Sequence, residues 1–92
     1  MRTNTKIILR QIGAKVAYFR TLAGLSQTEL ADRIKTTQST ISKVENGSYN
    51  DNLSIAMLTE IADALEMDLD LLLEFTVYEK SMWEKRFGEE GK

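Results

Sequence analysis

The stretch Leu25–Gly47, LSQTELADRIKTTQSTISKVENG, decides how this chain is read. Ser26 is followed three residues later by Glu29, the spacing at which a serine hydroxyl caps a backbone N–H and the glutamate returns the bond to the serine's own N–H. A helix therefore begins at Gln27, with Leu30, Ala31 and Ile34 as its inner face, and it stops near Lys35 because Thr37 offers a new N-cap. In the helix that Thr37 opens, Ile41 and Val44 are three apart and point inward. Gln38, Ser39, Ser42 and Lys43 are left on the outer face, and Asn46-Gly47 closes the element.

Outward from this pair the same spacing continues. Upstream, Ile8, Ile12, Val16, Phe19 and Ala23 form an apolar stripe on a first helix from about Thr5 to Ala23, which Gly24 ends in a left-handed conformation. Downstream, Ser54 caps a fourth helix whose stripe is Ile55, Leu58, Ile61, Ala62 and Leu65, and Asp68 caps a short fifth one through about Glu74. The chain has no proline, and helices joined by short turns are the natural reading. The expectation is an all-α fold of five helices. Residues 1–11 extend the first helix, 12–74 form the domain, and 75–92 are a short C-terminal extension. That extension keeps Phe75, Tyr78, Met82, Trp83 and Phe87, too apolar for a mere tail, and is expected to bury Tyr78 and Trp83 against a second copy of the chain or against the fourth and fifth helices.

Ninety-two residues suffice for one compact core but not two. The absence of cysteine excludes disulfides and thiolate metal sites, and the absence of histidine removes the commonest general base and transition-metal ligand. No carboxylates are paired around a nucleophile, so neither an enzyme nor a metal or cofactor site is expected. Apolar runs such as Leu71–Leu73 are far short of a membrane span, which points to a cytoplasmic protein without membrane contact. The net charge of −2 conceals a division: residues 1–50 carry eight basic and three acidic side chains, whereas residues 51–92 carry four and eleven. A basic half can face a polyanion while the acidic half faces away.

Two short helices joined by a tight turn, the second with a small polar outer face, have the shape needed to enter a DNA major groove. Beyond shape, the residues Ile12-Gly13, Arg20, Gly24-Leu25-Ser26-Gln27, Glu29-Leu30-Ala31, Gln38-Ser39-Thr40-Ile41-Ser42, Glu45, Asn46-Gly47 and Ile61-Ala62-x-Ala64-Leu65 resemble the phage-repressor (Cro-like, XRE-type) helix-turn-helix family over about residues 12–74. The resemblance implies a lambda-repressor-like domain that binds double-stranded DNA as a transcriptional regulator, most simply a repressor acting as a homodimer. It puts Gln38 and Ser39 where the family reads bases, with Ser42 and Lys43 one turn further on. Glutamine suits the role, because its amide matches adenine N6 and N7. Gln27, Ser26, Thr37, Thr40 and Asn46 fall at backbone-contacting positions. Gln27 has the alternative of bracing Gln38, Ser26 that of a plain cap, and Asn46 that of a left-handed turn residue. Arg20 and Glu45 match a pair that joins the first and third helices and are read as structural.

Two positions depart from the family pattern. Lys35 and Glu66 stand where glycine is common after the second and fourth helices, so either the turns differ or a left-handed side chain is carried at about 1 kcal/mol. Arg2, Lys6 and Arg10 offer a basic arm or, alternatively, a solvated first turn. Two other functions stay open: an antitoxin-like protein that binds DNA and holds a partner through 75–92, and a module that binds proteins only.

Overall fold

The computed structural model of the chain describes residues 5–49 and 53–87. Among these residues six helices follow one another: α1 Thr5–Leu22, α2 Gln27–Arg33, α3 Gln38–Glu45, α4 Ile55–Ala64, α5 Asp70–Leu73 and α6 Val77–Phe87. There is no strand among the described residues. α1 packs on α3, α5 and α6, and α2 packs on α3 and α4. Between them lies a core of Ile12, Val16, Leu30, Ala31, Ile41, Val44, Leu58, Ile61, Ala62, Leu65 and Leu72.

The helices α2, α3 and α4 begin on side-chain caps. Ser26, Thr37 and Ser54 each accept a bond from the backbone N–H three residues on, that of Glu29, Thr40 and Met57. The first four helices also end alike. Leu25, Thr36, Ser48 and Met67 each donate a backbone bond five residues back, to Arg20, Ala31, Lys43 and Ala62. This is the Schellman closure, and its preceding residue must take positive φ. Gly24 and Gly47 do so at 77° and 70°, but Lys35 and Glu66 do so too, at 59° and 56°. The turns are thus unchanged by the loss of glycine, and the cost is carried. Asn46, by contrast, is right-handed, with φ −85°, so Gly47 makes that turn and Asn46 does not.

Where α1 crosses α3 the backbones touch. A Cβ on Gly13 would fall on the carbonyl oxygen of Val44 and lie 2.6 Å from that of Glu45. Neither atom can move without moving α3, so this position admits no side chain.

Four expectations are corrected. Asp68 does not cap α5: the N-cap is Leu69, without a side-chain bond, and the helix is only Asp70–Leu73. Its first turn closes instead through Leu71 N–H to Asp68 O and Leu72 N–H to Leu69 O, three-residue bonds that take up the Leu71 N–H a cap at Asp68 would use. Ile55 is 62% exposed, because it opens α4 one turn out from Leu58, beyond the reach of the core. Ala23, expected on the inner face of α1, is exposed just past the end of that helix. Of the two alternatives for the N-terminal basic residues, Lys6 and Arg10 follow the helical one, as part of α1, while Arg2 lies outside the described residues.

The fourth correction concerns the C-terminal extension, which contains a helix of its own. Thr76 and Glu79 form a second capping box, at 3.0 and 3.1 Å, and α6 lies along α1 rather than against α4 and α5, joined to it by a 2.8 Å ion pair between Lys15 and Glu79. Phe75 packs against the edge of the core and Trp83 is half-buried, but Tyr78 is 72% exposed. A charged anchor on α1 holds α6 with its N-terminal apolar residues turned outward.

Candidate nucleic-acid interface

α3 is built to hold two rows of side chains at different depths. Ile41 and Val44 are at most 1% exposed, so the helix cannot rotate about its axis without pulling them from the core. Their burial fixes the opposite row. Gln38, Ser39 and Lys43 are exposed on that side and Ser42 is half-buried. At 1.5 Å per residue the eight residues of α3 span about 12 Å, close to the width of a B-DNA major groove.

The start of α3 is tied to α2 and, through it, to α1. Arg20 donates from Nε and Nη2 to the two oxygens of Glu45, at 2.6 and 3.1 Å, and from Nη1 to the carbonyl of Leu25 at 2.7 Å. Only 16% of the Arg20 side chain and 6% of the Glu45 side chain are exposed. Hydrogen bonding to Glu45 holds the Arg20 guanidinium above its ordinary pKa, outweighing the lowering effect of burial. Gln27 Nε2 donates to the same carboxylate at 2.9 Å, and Gln38 Nε2 donates to Gln27 Oε1 at 2.6 Å. Four side chains from three helices therefore form one continuous chain of bonds that ends at the exposed face of α3.

The remaining polar candidates are engaged locally. Ser26 completes its capping box with Glu29, at 3.0 and 2.8 Å, and these bonds, the Ser26 N–H first and its hydroxyl next, hold the Glu29 carboxyl below the usual carboxylate range. The Thr37 hydroxyl accepts from Thr40 N–H and meets the Thr40 hydroxyl at 3.0 Å. Asn46 Nδ2 reaches Ser42 Oγ at 3.5 Å. Two contacts have no counterpart in the sequence reading. The bond from Gln27 to Glu45 joins residues 18 apart and has no local signature. Arg33 donates to the carbonyl of Ala64 at 3.0 Å, fastening the end of α2 to the end of α4.

Among the described residues no helix is long and apolar enough to cross a membrane, and no group of acidic side chains is arranged to hold a metal ion. A short polar helix presented by a helical core, braced from behind by a second helix, defines a DNA-binding module. Comparison with known proteins agrees. The helix-turn-helix family model matches residues 16–72. Among solved structures, the restriction-modification controller protein C.AhdI from Aeromonas hydrophila shares 31% identity with a TM-score of 0.64, over 70% of this chain and 94% of that one. The hypothetical transcription factor NHTF from Neisseria superposes with a TM-score of 0.70 at 22% identity, over 89% of this chain and 91% of that one, a likeness of fold. No curated protein matches. The chain belongs to the helix-turn-helix family of DNA-binding transcription regulators.

Proposed function

We propose that this regulator reads a specific duplex sequence with α3 in the major groove and acts in the cytoplasm as a homodimeric repressor. The observation that carries the reading is the polar row Gln38, Ser39, Ser42 and Lys43, set by the burial of Ile41 and Val44 and anchored at Gln38 by Gln27. Gln38 and Ser39 read base edges, and Ser42 and Lys43 extend the contact by one turn. Gln27, Ser26, Thr37, Thr40 and Asn46 flank the row and contact the sugar-phosphate backbone. One such helix spans only a few base pairs, so a second copy is required for a useful site. Residues 12–74 act as the reading unit and 75–92 as the assembly segment. The exposed Val77, Tyr78 and Met82 of α6 support that division. The same exposed row favours a second reading, in which the segment holds a different protein, as in an antitoxin.

The test starts with selection of a preferred site from a random duplex pool. Affinity for that site should fall with rising salt, as phosphates are neutralised. Gln38→Ala should cost about 1–3 kcal/mol on the selected site and little on a scrambled one, through loss of a bidentate base contact. Equal losses on both duplexes would assign Gln38 to the backbone. Salt-independent or absent binding would leave only a protein-binding module. Sedimentation of the full chain, with Tyr78→Asp as the disrupted form, separates a homodimer from a monomer that awaits another partner.

A further inference from the structure

This inference rests on the reading of Gln38 as a base-contacting residue. We propose that Glu45 is a positioning residue that sets the order in which Gln38 presents its hydrogen-bond donor and acceptor, acting through Gln27. A side-chain amide is ambiguous by itself: its oxygen accepts, its nitrogen donates, and a half-turn exchanges them with almost no change of shape. A carboxylate has no such ambiguity, because both of its oxygens accept. Gln27 can therefore meet Glu45 only with Nε2, which is the 2.9 Å contact observed. That turns the Gln27 oxygen toward Gln38, and only a donor can satisfy it, so Gln38 commits one N–H of Nε2 at 2.6 Å. What Gln38 keeps for a ligand is then Oε1 as acceptor and its second N–H as donor, in one order along the helix.

The root of the relay is rigid. The Glu45 side chain is 6% exposed and takes two bonds from Arg20, which in turn holds the Leu25 carbonyl. Swinging the carboxylate away would strand a half-buried guanidinium. In the major groove adenine offers an acceptor beside a donor in a single order, whereas guanine offers two acceptors. An amide free to turn accommodates more than one of these edges at little cost. An amide with its order imposed accepts one. Glu45 thus contributes to specificity without touching DNA.

Glu45→Gln keeps the shape but supplies a donor, so that Gln27 and Gln38 can both reverse. At the base position that Gln38→Ala relaxes, Glu45→Gln should lower preference for the best base over the next about tenfold, within the discrimination that a good bidentate pair provides. Affinity for a scrambled duplex should stay unchanged. Because Glu45→Gln also weakens the hold on Arg20, a second variant, Gln27→Met, cuts the relay and leaves the Arg20 pair intact. It should show the same loss of preference, read as a ratio that general affinity does not affect. In the free protein, the Gln38 side-chain amide protons should be unequal and slow to exchange, and should become ordinary in both variants. Full base preference in a folded Gln27→Met or Glu45→Gln protein overturns the relay. If Gln38→Ala itself leaves every base preference intact, the recognition reading fails instead, so the two failures are distinguishable.

Discussion

α2 and α6 begin with the same four-residue device and end in opposite circumstances. Ser26 and Glu29 exchange bonds at 3.0 and 2.8 Å, and Thr76 and Glu79 do so at 3.0 and 3.1 Å. Yet α2, seven residues long, buries Leu30 and Ala31 to 1% exposure or less, whereas α6, eleven residues long, leaves Val77 86% and Tyr78 72% exposed and, over Val77–Arg86, adds no residue to the buried core. A cap decides where a helix starts. What the rest of the molecule loses if that helix melts is decided by the apolar area it buries.

The sharpest way to break this contrast is truncation of side chains. Leu30→Ala should destabilise the whole fold by about 4 kcal/mol, as expected for a fully buried leucine that leaves a cavity. Val77→Ala should stay within about 0.5 kcal/mol in urea denaturation of the monomer. Similar losses for the two would mean that α6 belongs to the cooperative core. Arg20→Ala should come next, at about 3 kcal/mol, because it strands the Glu45 carboxylate, and the double replacement with Glu45→Ala should be milder. A melting curve unchanged in Arg20→Ala would show that the pair carries no stability.

Removing the caps sharpens the comparison further. Ser26→Ala and Thr76→Ala each delete a bond to an otherwise unpaired N–H and should cost about 1 kcal/mol. For Ser26 the loss should appear in global melting. For Thr76 it should appear only as faster amide exchange within α6, because local unfolding there does not require the core to open.

The smallest effect is expected in acid. Glu79 lies below the usual carboxylate range, first because Lys15 bonds it and then because the Thr76 N–H does. A folded-state value below the unfolded one contributes stability at neutral pH that disappears as pH falls through the folded value. α6 should therefore loosen from α1 at acidic pH, seen as a red shift of Trp83 emission, while exchange protection of Leu30 and Ile41 persists. Glu29 loses its bonds in the same range, but α2 keeps its buried side chains. Simultaneous loss of both signals would contradict the contrast.

Which features were legible in the sequence follows from how local their signals are. The Ser26 capping box, the Thr37 and Ser54 caps and the inner rows of α2 and α3 depend on residues a turn apart, so spacing alone reveals them. On α1 the same spacing finds Ile12 and Val16 but includes the exposed Ala23 and passes over the buried Ile7 and Gln11. Thr76-x-x-Glu79 is as local as Ser26-x-x-Glu29, but a reading led by apolar rows passes over it, since the first apolar residues it introduces are not buried. Asp68 illustrates a different limit. Nothing in the order Asp68-Leu69-Asp70 says whether a turn closes through a side chain or through its own backbone. In the candidate site, the resemblance pairs Arg20 with Glu45, and bracing of Gln38 is one of the two roles the sequence offers Gln27. The second use of Glu45, as acceptor for Gln27, depends on how closely α1, α2 and α3 converge, a tertiary distance with no trace in spacing.

That convergence is set at Gly13, where α1 rests directly on the carbonyls of Val44 and Glu45. The contact is main chain against main chain, so where α3 rests on α1 does not depend on which letters occupy positions 38, 39, 42 and 43. Under the proposed reading, in which those positions contact bases, a lineage built on this frame can rewrite the address it recognises by a few point changes while the reader keeps its stance. Any side chain at position 13 would instead displace all of those contacts together. The part of the molecule most open to innovation is thereby hung from one of its least negotiable atoms.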